Sequence, residues 1–296
     1  MLADEEARTL MSMFLLASAQ KNLSMCSFRL FGVQKPKEEV QKPKGKEVKK
    51  PKDEEVWSTE VTEEDLVNAV EDEFGVKYSK DWKRLLKAPL GLKGEYSIRK
   101  GVKVIGNNAL GCCESLTSIN IPDSVTNIGD GAFYKCEYLK SINIPDSVTN
   151  IGDYAFVGCE SLTSINIPNS VTNIGRSAFC TCKSLNRINI QNGVTNIGKS
   201  AFSACKSLTC IKIPNSVTNI GNDAFSECCS LTNINIPSGV TNIGVYAFSW
   251  CKSFTSINIP NSVTDIGNRA FRYCEKLPSK IKSDIKKRFG KKVFDS

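Results

Sequence analysis

Eight cysteines recur every 23 residues, at Cys113, Cys136, Cys159, Cys182, Cys205, Cys228, Cys251 and Cys274, and thiols are the most reactive side chains in the chain. A cysteine does chemistry as a thiolate nucleophile, a metal ligand or half of a disulfide. All but Cys113, which follows Ala109-Leu110, stand three residues after the phenylalanine of an Ala-Phe pair, a setting in which cysteine serves as a small buried hydrophobe. Stacking coils about 4.8 Å apart would bring column neighbours towards disulfide distance, yet a column running along a stack has no obvious pair partners. The column therefore reads as structural thiols. Cys26, Cys112, Cys180, Cys210 and Cys229 fall at unrelated positions, and Cys112-Cys113, Cys180-x-Cys182 and Cys228-Cys229 lack the paired Cys-x-x-Cys spacing of a zinc ribbon. Neither a metal site nor a cofactor is expected.

The segment Gly193-Val194-Thr195-Asn196-Ile197-Gly198-Lys199-Ser200 matches the phosphate-loop pattern letter for letter. Its context argues against nucleotide binding. Gly193 occupies the place of Ser124 and Ser147 in other copies, and Lys199 the place of Asp130, Asp153, Arg176, Asn222, Val245 and Asn268. Val194 and Ile197 fall at core positions, and no long helix follows to present its amino terminus to phosphates. Histidine is absent, which excludes serine-histidine and cysteine-histidine chemistry. The carboxylates vary at their repeat positions instead of converging, so no catalytic residue is assigned and the protein is expected not to be an enzyme.

The elements that would position any site come from one repeated sentence: Cys-x-Ser-Leu-Thr-Ser-Ile-Asn-Ile-Pro-x-Ser-Val-Thr-Asn-Ile-Gly-x-x-Ala-Phe-x-x, written seven times without insertion or deletion. A unit this short cannot bury its apolar side chains alone, so copies must stack and share one core. Leu116, Ile119 and Ile121 alternate with Ser118 and Asn120, the period-two pattern of a half-buried strand, which Pro122 ends. Strands of successive copies run parallel. Val125, Ile128, Ala132 and Phe133 supply the opposite wall, Gly129 a tight return, and Ala132-Phe133 a short helical turn at best. Such a stack offers an extended surface and no deep pocket.

Outside the repeats, residues 1–33 form an N-terminal segment. Leu10 to Leu16 followed by Ala17-Ser18-Ala19 has a leader's apolar run and small-x-small site, whereas Asp4, Glu5 and Glu6 oppose the positive start a leader needs. The alternatives are a short amphipathic helix or a misplaced start. Residues 34–57 repeat Lys-Pro-Lys and Glu-Glu-Val, the composition of a semi-rigid disordered linker. In residues 58–95, Thr62 and Glu63-Glu64-Asp65 precede Leu66, Val67, Val70 and Phe74, predicting a helix closed by Gly75. A hairpin over Tyr78 to Leu86 completes an N-terminal cap. The solenoid spans 96–274. Beyond Pro278, in residues 275–296, Ile281, Ile285 and Phe289 recur every four residues and predict an amphipathic capping helix with solvated lysines. No stretch is long enough to span a bilayer as a helix.

The pattern Leu-x-x-Ile-x-Ile-Pro-x-Ser-Val-Thr-x-Ile-Gly-x-x-Ala-Phe-x-x-Cys resembles the BspA-like class of leucine-rich repeats over about residues 96–277, and the flanks Tyr78 to Pro89 and Ile285 to Phe294 resemble flanks of that class. The resemblance implies an α/β solenoid: a leucine-rich-repeat-type stack of parallel strands with short turns, an N-terminal helix and hairpin cap and a C-terminal helical cap. It also implies a surface or secreted, adhesin-like protein that binds host or cell-surface proteins. The alternative is an intracellular, cytoplasmic scaffold using the same array.

Because the framework is near-identical between copies, binding specificity belongs to positions that vary. Along the outward strand positions, Ser and Asn are interrupted by Arg187 and Lys212 in adjacent copies, and the position after each column cysteine changes from Glu114, Glu137 and Glu160 to Lys183 and Lys206. This change of sign is either drift on a solvated surface or a patch of Arg187, Lys212, Lys183 and Lys206, with Asn166, Asn189 and Asn235 around it, that contacts an acidic protein partner. Self-association through the polar strand face is a further expectation. Although net charge is +8, most of the excess sits in residues 275–296, and no nucleic-acid partner is inferred.

Overall fold

The computed structural model describes residues 57–295. Residues 1–33, where a leader or a short helix is expected, and nearly all of the expected linker at 34–57 lie outside the described residues. From residue 94 onward the chain winds as a parallel-strand solenoid. We number coils one to seven from Cys113, Cys136, Cys159, Cys182, Cys205, Cys228 and Cys251.

Each coil contributes a strand to two sheets. The first contains Gly94–Ser97 ahead of coil one and then Leu116–Asn120, Ser141–Ile142, Ser164–Ile167, Arg187–Ile190, Cys210–Lys212, Asn233–Asn235 and Ser256–Asn258, paired in parallel with a 23-residue offset such as Ile165↔Ile188. It is divided between coils two and three into a three-stranded and a five-stranded part. The second sheet has 11 strands, most of them two-residue segments such as Asn127–Ile128, Asn173–Ile174 and Asn196–Ile197. Between the sheets and the Ala-Phe turns lies one apolar column per inward position. Leu116, Ile119, Val125, Ile128, Ala132, Phe133 and Cys136 are buried, and equivalents recur up the stack. Phe133, Phe156, Phe179, Phe202, Phe225, Phe248 and Phe271 stack nearly parallel, successive centroids lying 5.0, 5.1, 5.5, 5.5, 5.5 and 5.5 Å apart. These rings are among the largest of the fully buried side chains in their coils.

Two features of the turns differ from the sequence-based expectation. The column glycine is needed for close approach and not for a turn conformation. A Cβ built on Gly175 would lie 2.6 Å from both the carbonyl carbon and oxygen of Gly152 in the preceding coil. The Ala-Phe segment forms no helix because residues on both sides of it are left-handed. Tyr154, Ser177, Ser200, Asp223, Tyr246 and Arg269 occupy one such column, and Lys135, Thr181, Ala204, Glu227, Trp250 and Tyr273 the other, with φ between 52° and 61°. This conformation disfavours side chains with a Cβ, yet it recurs because the hydrogen bonds of neighbouring coils hold it.

At the N-terminal end, Thr62 and Asp65 form a capping box on helix α1 (Glu63–Val67). The helix stops there, earlier than the predicted end at Gly75. Val70 instead enters strand β1 (Val70–Glu71), which pairs antiparallel with β2 (Lys77–Tyr78). The Asp72 carboxylate decides this: its Oδ1 accepts from the amides of Phe74 and Val76, and Gly75 takes φ +74° in the resulting turn. Local side-chain bonding of this kind outcompetes helix propagation. The predicted hairpin is present, with β2 antiparallel to β3 (Arg84–Lys87), and β3 then pairs in parallel with Val104–Ile105 to start the second sheet.

At the other end, helix α2 (Ser279–Phe289) buries Ile285 and packs Ile281 and Phe289 against the core. After Gly290 the chain returns to register. Val293 and Phe294 stand 23 residues after Ala270 and Phe271; the Phe271 amide donates to the Val293 carbonyl at 2.9 Å, and the Phe294 ring meets that of Phe271 at 5.7 Å. The tail thus supplies a partial final coil.

Candidate partner-binding face

The strands of the first sheet bury their isoleucines and turn the intervening positions outward, so side-chain alternation alone puts Arg187, Asn189 and Lys212 on one exposed face. Asn189 pairs with Lys212 across the two strands, and Lys212 with Asn235. Asn166 lies opposite Asn189, whose Nδ2 donates to the Asn166 Oδ1 at 2.6 Å. Asn258 donates likewise to Asn235 at 3.0 Å. These amide ladders tie strand to strand and fix register, while Lys212 interrupts the ladder between Asn189 and Asn235.

Lys183 and Lys206 are exposed at the turn preceding their strands, four and six residues before Arg187 and Lys212 respectively. Lys183 is partly answered within the chain: its Nζ lies 2.6 Å from the Glu160 carboxylate, both side chains being nearly half exposed. Such a surface pair contributes at most about 1 kcal/mol, so a stronger anion can replace it. Arg187, Lys206 and Lys212 form no ion pair with another described residue.

The phosphate-loop match dissolves in the structure. Asn196–Ile197 is a strand of the second sheet, paired with both neighbouring coils. The amides of Thr195, Gly198 and Ser200 donate to the carbonyls of Thr172, Ile174 and Asn222. None of the three points at a vacant anion site, and Ser200 is left-handed at φ 55°.

Two roles had escaped the reading of the sequence. Each column thiol from Cys136 onward donates to a carbonyl 26 residues earlier, as Cys205 does to Phe179 at 3.2 Å, so the cysteine adds a second bond to a carbonyl that already accepts a backbone amide as well as filling space. The 23-residue phase already aligned these positions, but nothing in it signalled the bond. The Lys199 column also has a function where it is Asn or Asp: the amides of Asp130, Asp153 and Arg176 donate to the side-chain oxygens of Asn107, Asp130 and Asp153 at 2.8, 2.8 and 2.7 Å. Acidic residues there serve the fold.

A family model described as a BspA type leucine-rich repeat region matches residues 103–228 and 218–296, in six copies. The chain belongs to the BspA-type leucine-rich-repeat family. Among solved structures, a leucine-rich repeat protein from Eubacterium ventriosum is 28% identical with a TM-score of 0.52, the match covering 70% of this chain and 50% of that one. A leucine-rich repeat protein from Bacteroides ovatus is 31% identical (TM-score 0.51; 70% and 61% covered), and the T. pallidum leucine-rich repeat protein is 27% identical (TM-score 0.54; 77% and 100% covered). The chain therefore spans half to about three-fifths of the first two proteins and the whole of the third. No curated protein sequence matches it. The BspA-type repeats suggest a protein-interaction module, and their solenoid is typically non-enzymatic. Among the described residues, no helix is long and apolar enough to cross a membrane.

Proposed function

We propose that this BspA-type solenoid is a non-enzymatic, adhesin-like binding protein, displayed at the cell surface or secreted, that captures an acidic protein partner on the outward face of coils four and five. The observation that carries the reading is the placement of Arg187 and Lys212 on adjacent exposed strands, in no ion pair with another described residue, in a sheet face lined over the other coil positions by neutral Ser, Asn and Cys210. Lys206 and Lys183 extend the positive charge to the edge of that face, and Asn166, Asn189 and Asn235 offer amide donors and acceptors beside it. Complementary charge of this kind sets partner choice and encounter rate.

The test is binding of immobilised extracellular-matrix proteins by the full chain and by an Arg187→Glu/Lys212→Glu variant. The variant should lose capture by at least about tenfold and lose the salt dependence of the remainder; equal capture with an unchanged salt response would defeat the assignment. A second reading draws on the cysteines. All twelve in the described residues are free thiols, which suits a reducing compartment and an intracellular scaffold. Cell fractionation with amino-terminal sequencing separates the two, since an unprocessed cytosolic chain would remove the adhesin reading.

A further inference from the structure

Coils six and seven carry a second surface whose chemistry differs from the strand face. The left-handed column that holds Lys135, Thr181 and Ala204 in earlier coils ends in Trp250 and Tyr273, exposed by 40% and 37%. Their rings meet at 4.1 Å with a 41° tilt. Lys252 Nζ lies 5.1 Å from the Trp250 centroid, and the Arg272 guanidinium 4.6 Å from that of Tyr273 while donating to its hydroxyl at 3.0 Å. Immediately behind, Arg269 donates to the Tyr246 hydroxyl. Coil six has no charged residue, the one acid of coil seven, Asp265, is paired with Lys292 at 3.3 Å, and an exposed acid, Glu275, stands 23 residues after Lys252. Lys252, Arg269 and Arg272 outnumber it, so the cluster is aromatic and net cationic.

Exposed Trp, Tyr and Arg held by their neighbours have the composition of an interaction hot spot, because they offer large contact area at low ordering cost. The geometry also selects among ligands. Sugars and nucleic-acid bases use open ring faces, whereas here each ring is met by its neighbour and by a cation. The rings also offer their edges, the positive part of the aromatic quadrupole, together with ammonium and guanidinium N–H groups. All of these favour carboxylates. On the side of coil five the same two columns hold Asp223 and Glu227, which repel an anion and confine it to coils six and seven.

We propose that Trp250, Tyr273, Lys252 and Arg272 form a second docking surface, for an acidic segment of a protein partner. The inference rests on the reading of the solenoid as a protein-interaction module but uses none of the residues assigned above. A random-peptide display library, selected on the full chain, tests it. Selected peptides should be rich in Asp and Glu, should bind a Trp250→Ala variant and an Arg272→Gln variant at least about tenfold more weakly, and should bind the Arg187→Glu/Lys212→Glu variant unchanged. Trp250 is exposed and Arg272 half-buried, and circular dichroism checks that both variants fold. Peptides without acidic enrichment, or acidic peptides indifferent to Trp250 and Arg272, overturn the proposal. Peptides dependent on Arg187 and Lys212 instead overturn it while leaving the first face standing. Retention on heparin weakened by Trp250→Ala, with no acidic peptide selected, overturns it in favour of a sulfated glycan.

Discussion

At the scale of single residues, the thiol column shows how one side chain can satisfy packing and polarity together. A cysteine is small enough to sit beside the phenylalanine stack, and its S–H donates a weak second bond to a buried carbonyl that already accepts a backbone amide. Burial pushes the Cys113 and Cys180 thiols up to about 11 and the Cys159 and Cys274 thiols up to about 12. In the unfolded chain the same thiols lose protons from about pH 8.5. Above that pH the unfolded state holds fewer protons than the folded one, so stability is fully present below it and declines as pH rises towards the folded values. Denaturant midpoints measured from about pH 8 to pH 10, below most lysine and tyrosine titration, should fall steadily. A Cys159→Ala variant, less stable at neutral pH, should show a shallower fall; a flat profile for the parent would contradict protonated, buried thiols. The position of these residues in the core was legible from their period and their Ala-Phe neighbours. The bond each one makes was not, because its acceptor belongs to another coil.

At the scale of the element, the strands were legible from alternation and their parallel order from the fixed period, whereas the turns were not. Nothing about Thr181, a β-branched residue, announces a left-handed conformation at φ 58°. The neighbouring coil and the turn itself hold it together: the Thr181 amide donates to the Ser203 carbonyl of the next coil at 2.9 Å, and the Cys182 amide closes the turn on the Phe179 carbonyl at 3.3 Å. The column glycine was visible in sequence with the wrong reason attached. Since the obstacle is the backbone of the preceding coil, Gly175→Ala should destabilise by about 2 kcal/mol or more, although alanine ordinarily improves on glycine in a chain that must be ordered. Urea unfolding measures this, and a neutral result would show that the coils tolerate being moved apart. Helix α1 gives the converse lesson. Thr62 and the acidic first turn marked its start correctly, but Asp72 and the pairing of β1 with β2 ended it before the apolar stripe ran out.

At the scale of the repeat domain, stability is shared between neighbours, so its ends matter disproportionately. The N-terminal hairpin covers the first edge of the second sheet, and helix α2 with Val293 and Phe294 covers the last coil. The Arg288 guanidinium fastens that helix by donating to the carbonyls of Ile259 and Pro260 at 2.8 and 3.0 Å. Deleting residues 290–296 should uncover the Phe271 ring and free the Ala-Phe turn of coil seven. Faster amide hydrogen exchange in residues 251–274 and concentration-dependent association by light scattering are expected; unchanged exchange would show that α2 suffices alone. By itself the sequence determined the seven regular coils, their parallel stacking, the inward residues and the absence of histidine chemistry, because an unbroken period fixes which side chains must share a core; the strand Gly94–Ser97 ahead of them and the partial coil after them became visible only in the structure. It also ruled out the phosphate loop by comparison between copies. Only the tertiary structure decided where the α1 helix stops, which turn residues become left-handed, that Lys183 spends its charge on Glu160, and that Trp250 and Tyr273 stack beside Lys252 and Arg272. These outcomes depend on contacts between residues in different coils or across turns, and their distances are set by how closely the backbones approach and not by the order of residues within a repeat.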